Sequence, residues 1–200
     1  MEFLIADTFT GSLARLTGDE QKIAKTTAFD FQMNPVNPGM ALHRIDKSKD
    51  KNFWSARVGR DIRLIIHKTK ESLLLCYVGH HDDAYAWAER RKLETHPKTG
   101  AAQLVEIRER IQEVVVPQFV EATVPTKTAE KEKIFASLSD DALLGYGVPT
   151  EWLADVRAAD EDSILGVAEH LPEEAAEALL EIATGGKPKP REVAPATPFE

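Results

Sequence analysis

The chain has one cysteine in 200 residues, so no internal disulfide braces the fold. Cys76 sits inside LLLCYV at 73–78 and reads as a small buried hydrophobe, in keeping with a cytoplasmic setting. That apolar run is far shorter than the ~20 residues of a membrane-spanning helix, so no membrane association is expected. The opening MEFLIADTFTGS lacks a basic stretch followed by a long apolar one, and no signal peptide is expected. There is no G-x-x-x-x-G-K-[ST] loop to cradle a nucleoside triphosphate. Nor is there a Cys/His pattern at zinc spacing: His80 and His81 are adjacent and point apart, so no metal or cofactor is expected.

What the chain does have is enough length for one good-sized domain or two small ones, with 42% hydrophobic and 29% charged residues, as in soluble globular proteins. The net charge of −8 hides an asymmetry. Residues 1–100 hold 16 Lys/Arg against 13 Asp/Glu, whereas residues 101–200 hold 9 against 20. Between 40 and 70 there are nine basic and three acidic residues. A polyanion-facing site beside a segment that avoids nucleic acid is one reading; unequal solvated faces are the other.

In chain order, Met1–Phe9 alternates as a short strand, broken at Thr10-Gly11-Ser12. A short helix to Leu16 and a second from Thr17 to Phe31 are expected, the latter with Ile23, Ala24, Thr27, Ala28 and Phe31 as its apolar face. Asn34–Gly39, with two prolines, is a loop. Strands follow at 40–45, 53–58, 62–67 and 73–78. Period two puts Trp54, Ala56, Ile62, Leu64 and Ile66 on one face and Ser55, Arg57, Arg63, Ile65 and His67 on the other. Pairing about Arg60 sets Arg57 opposite Arg63. A helix is expected over Ala84–Leu93, with Asp82 and Asp83 at its positive end. Another is expected over Thr99–Val116. Beyond 133, short helices carry readable caps at Ser139, Pro149, Asp160 and Pro172, and end at Gly145-Tyr-Gly and Gly185-Gly186.

Two constellations can carry chemistry. Arg57, Arg60 and Arg63, with Lys47, Lys49 and Lys51 before them and His67 after, suit a phosphodiester, because a guanidinium is planar and always charged. The alternative is ion pairing with Asp61, Asp82 or Asp83. His80-His81 with Tyr85, one helical turn on, supplies a group that titrates near neutrality beside a phenol. Its alternative is a structural histidine beside a core tyrosine.

The run RVGRDIRLIIHKTKESLLLCYVGHHDDAYAWA resembles the RelE/ParE toxin superfamily, over roughly residues 1–93. The resemblance implies an α+β fold: a strand, a helix pair, an antiparallel meander of about four strands and a short helix, here followed by a small all-α acidic region. With the composition and caps of the rest of the chain, the domains expected are 1–98 (RelE/ParE-like), 99–132 (helix and connector), 133–186 (helical, acidic) and 187–200 (a Pro-rich flexible tail). In the RelE branch the matching positions cleave mRNA on the ribosome without metal, by attack of a ribose 2′-hydroxyl on the adjacent phosphate. Arg57 and Arg63 would then clamp phosphate, His81 act as acid or base, and Tyr85 stack or orient a hydroxyl, while Lys47, Lys49, Lys51, Arg60, His67 and His80 would contact nucleic acid. Three residues depart from the pattern: Ile62 stands for an aromatic, His81 for a frequent arginine and Ser55 for a frequent lysine. ParE-like relatives share the fold, lack ribonuclease activity and inhibit DNA gyrase. The same run, with AERRKLETHPKTGAAQLVEIRE, also looks like a module at the N-terminus of UvrD-type superfamily 1 helicases. The partners implied are RNA (ribosome-bound mRNA among them) or DNA, an antitoxin, or a helicase domain.

Overall fold

The computed structural model describes residues 1–35, 41–108 and 133–189. The loop expected after Pro35, the 109–132 part of the expected helix and connector, and the tail from Pro190 lie outside the described residues. The chain divides into two compact units, one made of Met1–Thr95 with Ala102–Glu106, the other of His96–Ala101 with the described residues from Ile107 on.

The first unit is a five-stranded sheet, covered on both faces. Its strands are β1 (Glu2–Ile5), β2 (Leu42–Arg44), β3 (Phe53–Arg57), β4 (Ile62–Lys68) and β5 (Ser72–His80), in the spatial order β1-β5-β4-β3-β2. β2 to β5 form an antiparallel meander, and β1 joins the edge of β5 in parallel. The fold is therefore α+β. α1 (Asp7–Ala14) and α2 (Gly18–Met33) lie on one face, where Phe9, Leu16, Ala24, Ala28 and Phe31 pack against Ala56, Ile62, Leu64, Ile66, Leu73, Leu75 and Val78. α3 (His81–Glu89) covers the other face through Ala84 and Ala88, packed with Ile45, Phe53, Ile65 and Cys76. The alternation expected for β3 and β4 is the alternation found, because each face of a sheet buried on both sides keeps its own apolar set.

Two devices complete this unit. β1 ends at Ile5, leaving the far half of β5 without a strand on that edge. α1 supplies side chains instead: Thr8 donates to the Cys76 carbonyl at 2.6 Å, and Ser12 accepts from the Val78 N–H at 3.0 Å. The two hydroxyls are one helical turn apart and meet alternate residues of the strand. The second device is a bulge. Ile65 pairs with Tyr77 but Ile66 pairs with Leu75, so Cys76 is an extra residue in β5. Cys76 and Tyr77 consequently both face α3. Cys76 is fully buried and its burial pushes the thiol pKa up, as expected of an inert structural cysteine.

Three expectations are corrected. Thr10-Gly11-Ser12 does not break the chain but lies within α1, since the tertiary role of Ser12 places it on a helix. Ile23 is 49% exposed, because the buried stripe of α2 runs along Ala24, Ala28 and Phe31. The expected continuation of α3 to Leu93 and the helix from Thr99 are instead a hairpin, β6 (Arg91–Thr95) paired with β7 (Ala102–Glu106). Gln103 and Val105 are buried while Leu104 and Glu106 are less so, a period of two that a short apolar stretch conceals. Arg91 bonds Glu106 at 2.8 Å across the pair.

In the second unit α4 (Asp140–Gly145), a 3-10 turn at Thr150–Trp152, α5 (Leu153–Ala158), α6 (Ile164–Ala168) and α7 (Glu173–Ala183) enclose Phe135, Leu143, Val148, Val156, Ala175 and Leu179. Ser139 caps α4 by accepting from the Ala142 N–H at 3.1 Å. Gly147 and Gly185, at φ of +85° and +87°, end helices in the left-handed region that favours glycine. His96 is buried in this unit. Its Nδ1 accepts from Lys98 and Thr99 N–H groups, so Nε2 donates to the Val148 carbonyl at 3.0 Å.

Ser12→Ala removes the acceptor for a buried N–H of β5. A loss of about 1–3 kcal/mol is expected, read as a lower urea midpoint at unchanged slope.

Candidate functional site

The site is built from the register of the meander. Arg57 pairs with Arg63, and Arg63 with Gly79, so these three form one row across β3, β4 and β5. The next row inward is Ser55, Ile65 and Tyr77. Both rows face α3. Arg57 is exposed and, among the described residues, has no ion-pair partner. Arg63 is half-buried, with one guanidinium nitrogen donating to the Ile62 carbonyl at 3.0 Å. Arg60 is exposed at the turn between the two strands.

α3 brings the aromatic and the histidine to this end of the sheet. The Tyr85 hydroxyl lies 2.9 Å from Ser55 Oγ, placing it one pleat from Arg57. The His81 ring packs on the Tyr85 ring at 4.6 Å between centroids, since residues four apart on a helix share a face. His81 Nδ1 meets Asp82 Oδ1 at 2.8 Å. An Nδ1–H donated to that carboxylate leaves Nε2 free to exchange protons with a ligand. The structure thus assembles Arg57, Arg60, Arg63, His81 and Tyr85 at one end of the sheet.

The remaining expected contacts are not part of this assembly. His80 follows Gly79, so it points to the opposite face, where Nδ1 meets Asp61 at 2.9 Å and Nε2 faces Glu20 at 3.8 Å. Lys47, Lys49 and Lys51 belong to the loop before Phe53, at the other end of β3 from Arg57. Four strand steps separate the two ends, about 13 Å. Lys51 donates to the carbonyls of Asp46 and Ser48 and so shapes its own loop. His67 is a core residue, not a surface contact: it is 5% exposed, edge-on to Phe53, with Nε2 3.4 Å from Asp50. Burial lowers its pKa, against the opposing pull of Asp50. The acids also differ from the expected ion pairs, for Asp61 and Asp82 meet histidines, not arginines.

Two features of the site escaped the sequence reading. The first is Tyr77. Its ring stacks on Trp87 at 4.9 Å and lies over Gly79, where an added Cβ would come within 2.8 Å of Tyr77 Cε1. Glycine beside Arg63 is therefore a steric requirement. Only the bulge, invisible in a continuous apolar run, turns Tyr77 to this face. The second is an open cleft of about 450 Å³ at the β5 edge, lined by Arg15, Tyr77, Gly79, Trp87, Arg90 and Arg91, residues distant in sequence. Arg91 is occupied there by Glu106 and by the Trp87 ring. Among the described residues no group of three or more His, Cys, Asp or Glu is placed to hold a metal ion, and no helix is long and apolar enough to cross a membrane.

Gly79→Ala is expected to destabilise the protein by about 1–3 kcal/mol through the clash with Tyr77. Combining it with Tyr77→Leu is expected to cost less than the sum of the two single changes, measured by denaturant unfolding. For His67, a folded pKa below the unfolded 6.5 means that the unfolded chain takes up the proton first as pH falls. Stability is then full above that unfolded value and declines as pH drops toward the folded one. His67→Phe is expected to flatten this part of the urea-midpoint-versus-pH curve.

No family model matches the chain, and no curated protein matches it. Similar solved structures include the RelB–RelE antitoxin–toxin complex from Methanococcus jannaschii, 24% identical at a TM-score of 0.36, over 42% of this chain and 96% of that one. The DinJ–YafQ complex of E. coli is 18% identical at a TM-score of 0.31, over 41% of this chain and 94% of that one. A copper-bound mutant toxin from Helicobacter pylori is 16% identical at a TM-score of 0.31, over 42% of this chain and 97% of that one.

Proposed function

We propose that the α3 side of the sheet is an RNA-backbone clamp of the RelE toxin type, able to cleave the strand without a metal. The observation that carries this reading is the Arg57–Arg63 pair. Two like charges directly opposite on neighbouring strands destabilise a sheet, and no carboxylate among the described residues neutralises Arg57. Such an arrangement is stabilised when a phosphate sits between the two guanidinium groups, each able to hold two of its oxygens.

The chemistry follows from the neighbours. The ribose 2′-oxygen attacks the adjacent phosphorus, the bond to the 5′-oxygen breaks, and a 2′,3′-cyclic phosphate and a 5′-hydroxyl result. The 2′-hydroxyl proton passes to solvent water, and the 5′-oxygen must gain one. Arg57 and Arg63 stabilise the extra charge of the crowded phosphorane. His81, oriented by Asp82, delivers the proton to the leaving oxygen through Nε2, and Tyr85 holds the ribose. An antitoxin-type partner covering the arginines belongs with this reading.

A second reading is a non-catalytic nucleic-acid-binding module, such as a helicase-attached domain. It is favoured by the Ser55–Tyr85 hydrogen bond, made by a buried serine at a position where the resembled toxins frequently have lysine.

Incubation of the purified full chain with mRNA, with and without ribosomes, separates the two. Cleavage is expected, lost by a factor of about 10²–10⁴ in His81→Ala. Arg57→Ala and Arg63→Ala are expected to weaken RNA binding and each lower the salt slope by about 0.7. Arginine-dependent binding without cleavage supports the second reading, and binding indifferent to both arginines refutes the site.

A further inference from the structure

Ser55 is 1% exposed, on the same face as Arg57 and one pleat inward. Its Oγ has two polar neighbours, the His43 carbonyl oxygen at 3.4 Å and the Tyr85 hydroxyl at 2.9 Å. A hydroxyl has one proton to donate and two lone pairs to accept with, whereas a carbonyl can only accept. One assignment makes both contacts hydrogen bonds: Ser55 donates to His43, and Tyr85 donates to Ser55. In that assignment the single proton of the phenol points inward. Outward, toward the arginines, the Tyr85 oxygen then offers only lone pairs. The ring is held in place, with His81 packed on it at 4.6 Å and the helix carrying it anchored by the fully buried Ala84 and Ala88, so the Tyr85 oxygen stays beside Ser55.

We infer that Ser55 is a positioning residue that sets the hydrogen-bond polarity of Tyr85, making it an acceptor for a ligand's donor group and a poor partner for groups that only accept. The inference rests on the reading of this face as an RNA-backbone site, where the donor is the ribose 2′-substituent. Losing the Ser55 hydroxyl frees the phenolic proton, and Tyr85 can then donate outward as well as accept. Ser55 thereby controls which 2′-chemistry the site prefers without touching the ligand.

The test uses two hexanucleotides that lack the 2′-hydroxyl nucleophile, one uniformly 2′-amino, which can donate, and one uniformly 2′-fluoro, which cannot. Their affinities for the full chain are measured by fluorescence anisotropy for wild type, Ser55→Ala, Ser55→Thr and Tyr85→Phe. Comparing the affinity ratio between proteins cancels differences in sugar pucker between the two oligonucleotides. Wild type is expected to favour 2′-amino over 2′-fluoro more than Ser55→Ala does, by roughly 3- to 10-fold, the effect of one hydrogen bond. Ser55→Thr, which keeps the hydroxyl, is expected to restore the ratio, and Tyr85→Phe to abolish the preference. A ratio unchanged in Ser55→Ala but altered in Tyr85→Phe overturns the role of Ser55 and leaves the site standing. Binding of both oligonucleotides that is indifferent to Arg63→Ala overturns the site itself.

Discussion

One extra residue in β5 governs how this end of the molecule is arranged. A single-residue slip in a strand sends every later side chain to the other face. Because Cys76 is unpaired in the ladder, Tyr77 stays on the α3 side, Gly79 falls beside Arg63, and His80 is turned toward Glu20 and Asp61. Without the bulge, Tyr77 and Gly79 would face α1 and α2, and His80 would enter the arginine row. α1 stabilises this irregular half of β5 from the side, with Thr8 and Ser12 bonded to the residues on either side of Tyr77.

That arrangement sorts the basic residues by place and not by type. In the sequence the lysine loop and the three arginines look like one basic stretch. In the fold the length of β3 separates them, and the loop is occupied locally, with Ser48 bonded to the Ala88 carbonyl and Asp50 accepting the Leu93 N–H. The two adjacent histidines part in the same way. His80 lies between two carboxylates on one face, while His81 packs against a phenol on the other. What remains together is small: a like-charged arginine pair, a histidine oriented by a carboxylate, and a tyrosine whose hydroxyl is tied to a buried serine. The histidine and the tyrosine are each held by a neighbouring side chain, Asp82 and Ser55, which fixes their geometry.

Much of the first unit was legible because its signals are local. The period-two alternation of 53–58 and 62–67 names both faces, and the turn at Gly59-Arg60-Asp61 sets Arg57 against Arg63. The start of α2 was legible too, with Glu20 accepting from the Thr17 N–H and hydroxyl. Beyond 133 the cap at Ser139 is of the same kind, and Pro149 and Pro172 stand at the expected helix starts, whereas α6 begins after Ser163 and not at Asp160. The hairpin β6–β7 was not legible, since Leu104, Ile107 and Ile111 fit a helical spacing as well as alternate residues fit a strand. Its strand character comes from partners across the hairpin, from Thr95 with Ala102 to Arg91 with Glu106.

The sequence by itself determined the α+β character, the order of strands and helices in the meander, and the opposition of the two arginines. These depend on side-chain period and turn chemistry, which act over a few neighbouring residues. Only the tertiary structure decided that His67 is core, that His80 and the lysine loop lie away from the arginines, and that Ser55 bonds Tyr85. Those outcomes depend on a bulge in a uniformly apolar strand and on where a helix comes to rest upon the sheet. Both are settled by packing between segments far apart in the chain, and a one-dimensional pattern carries no record of it.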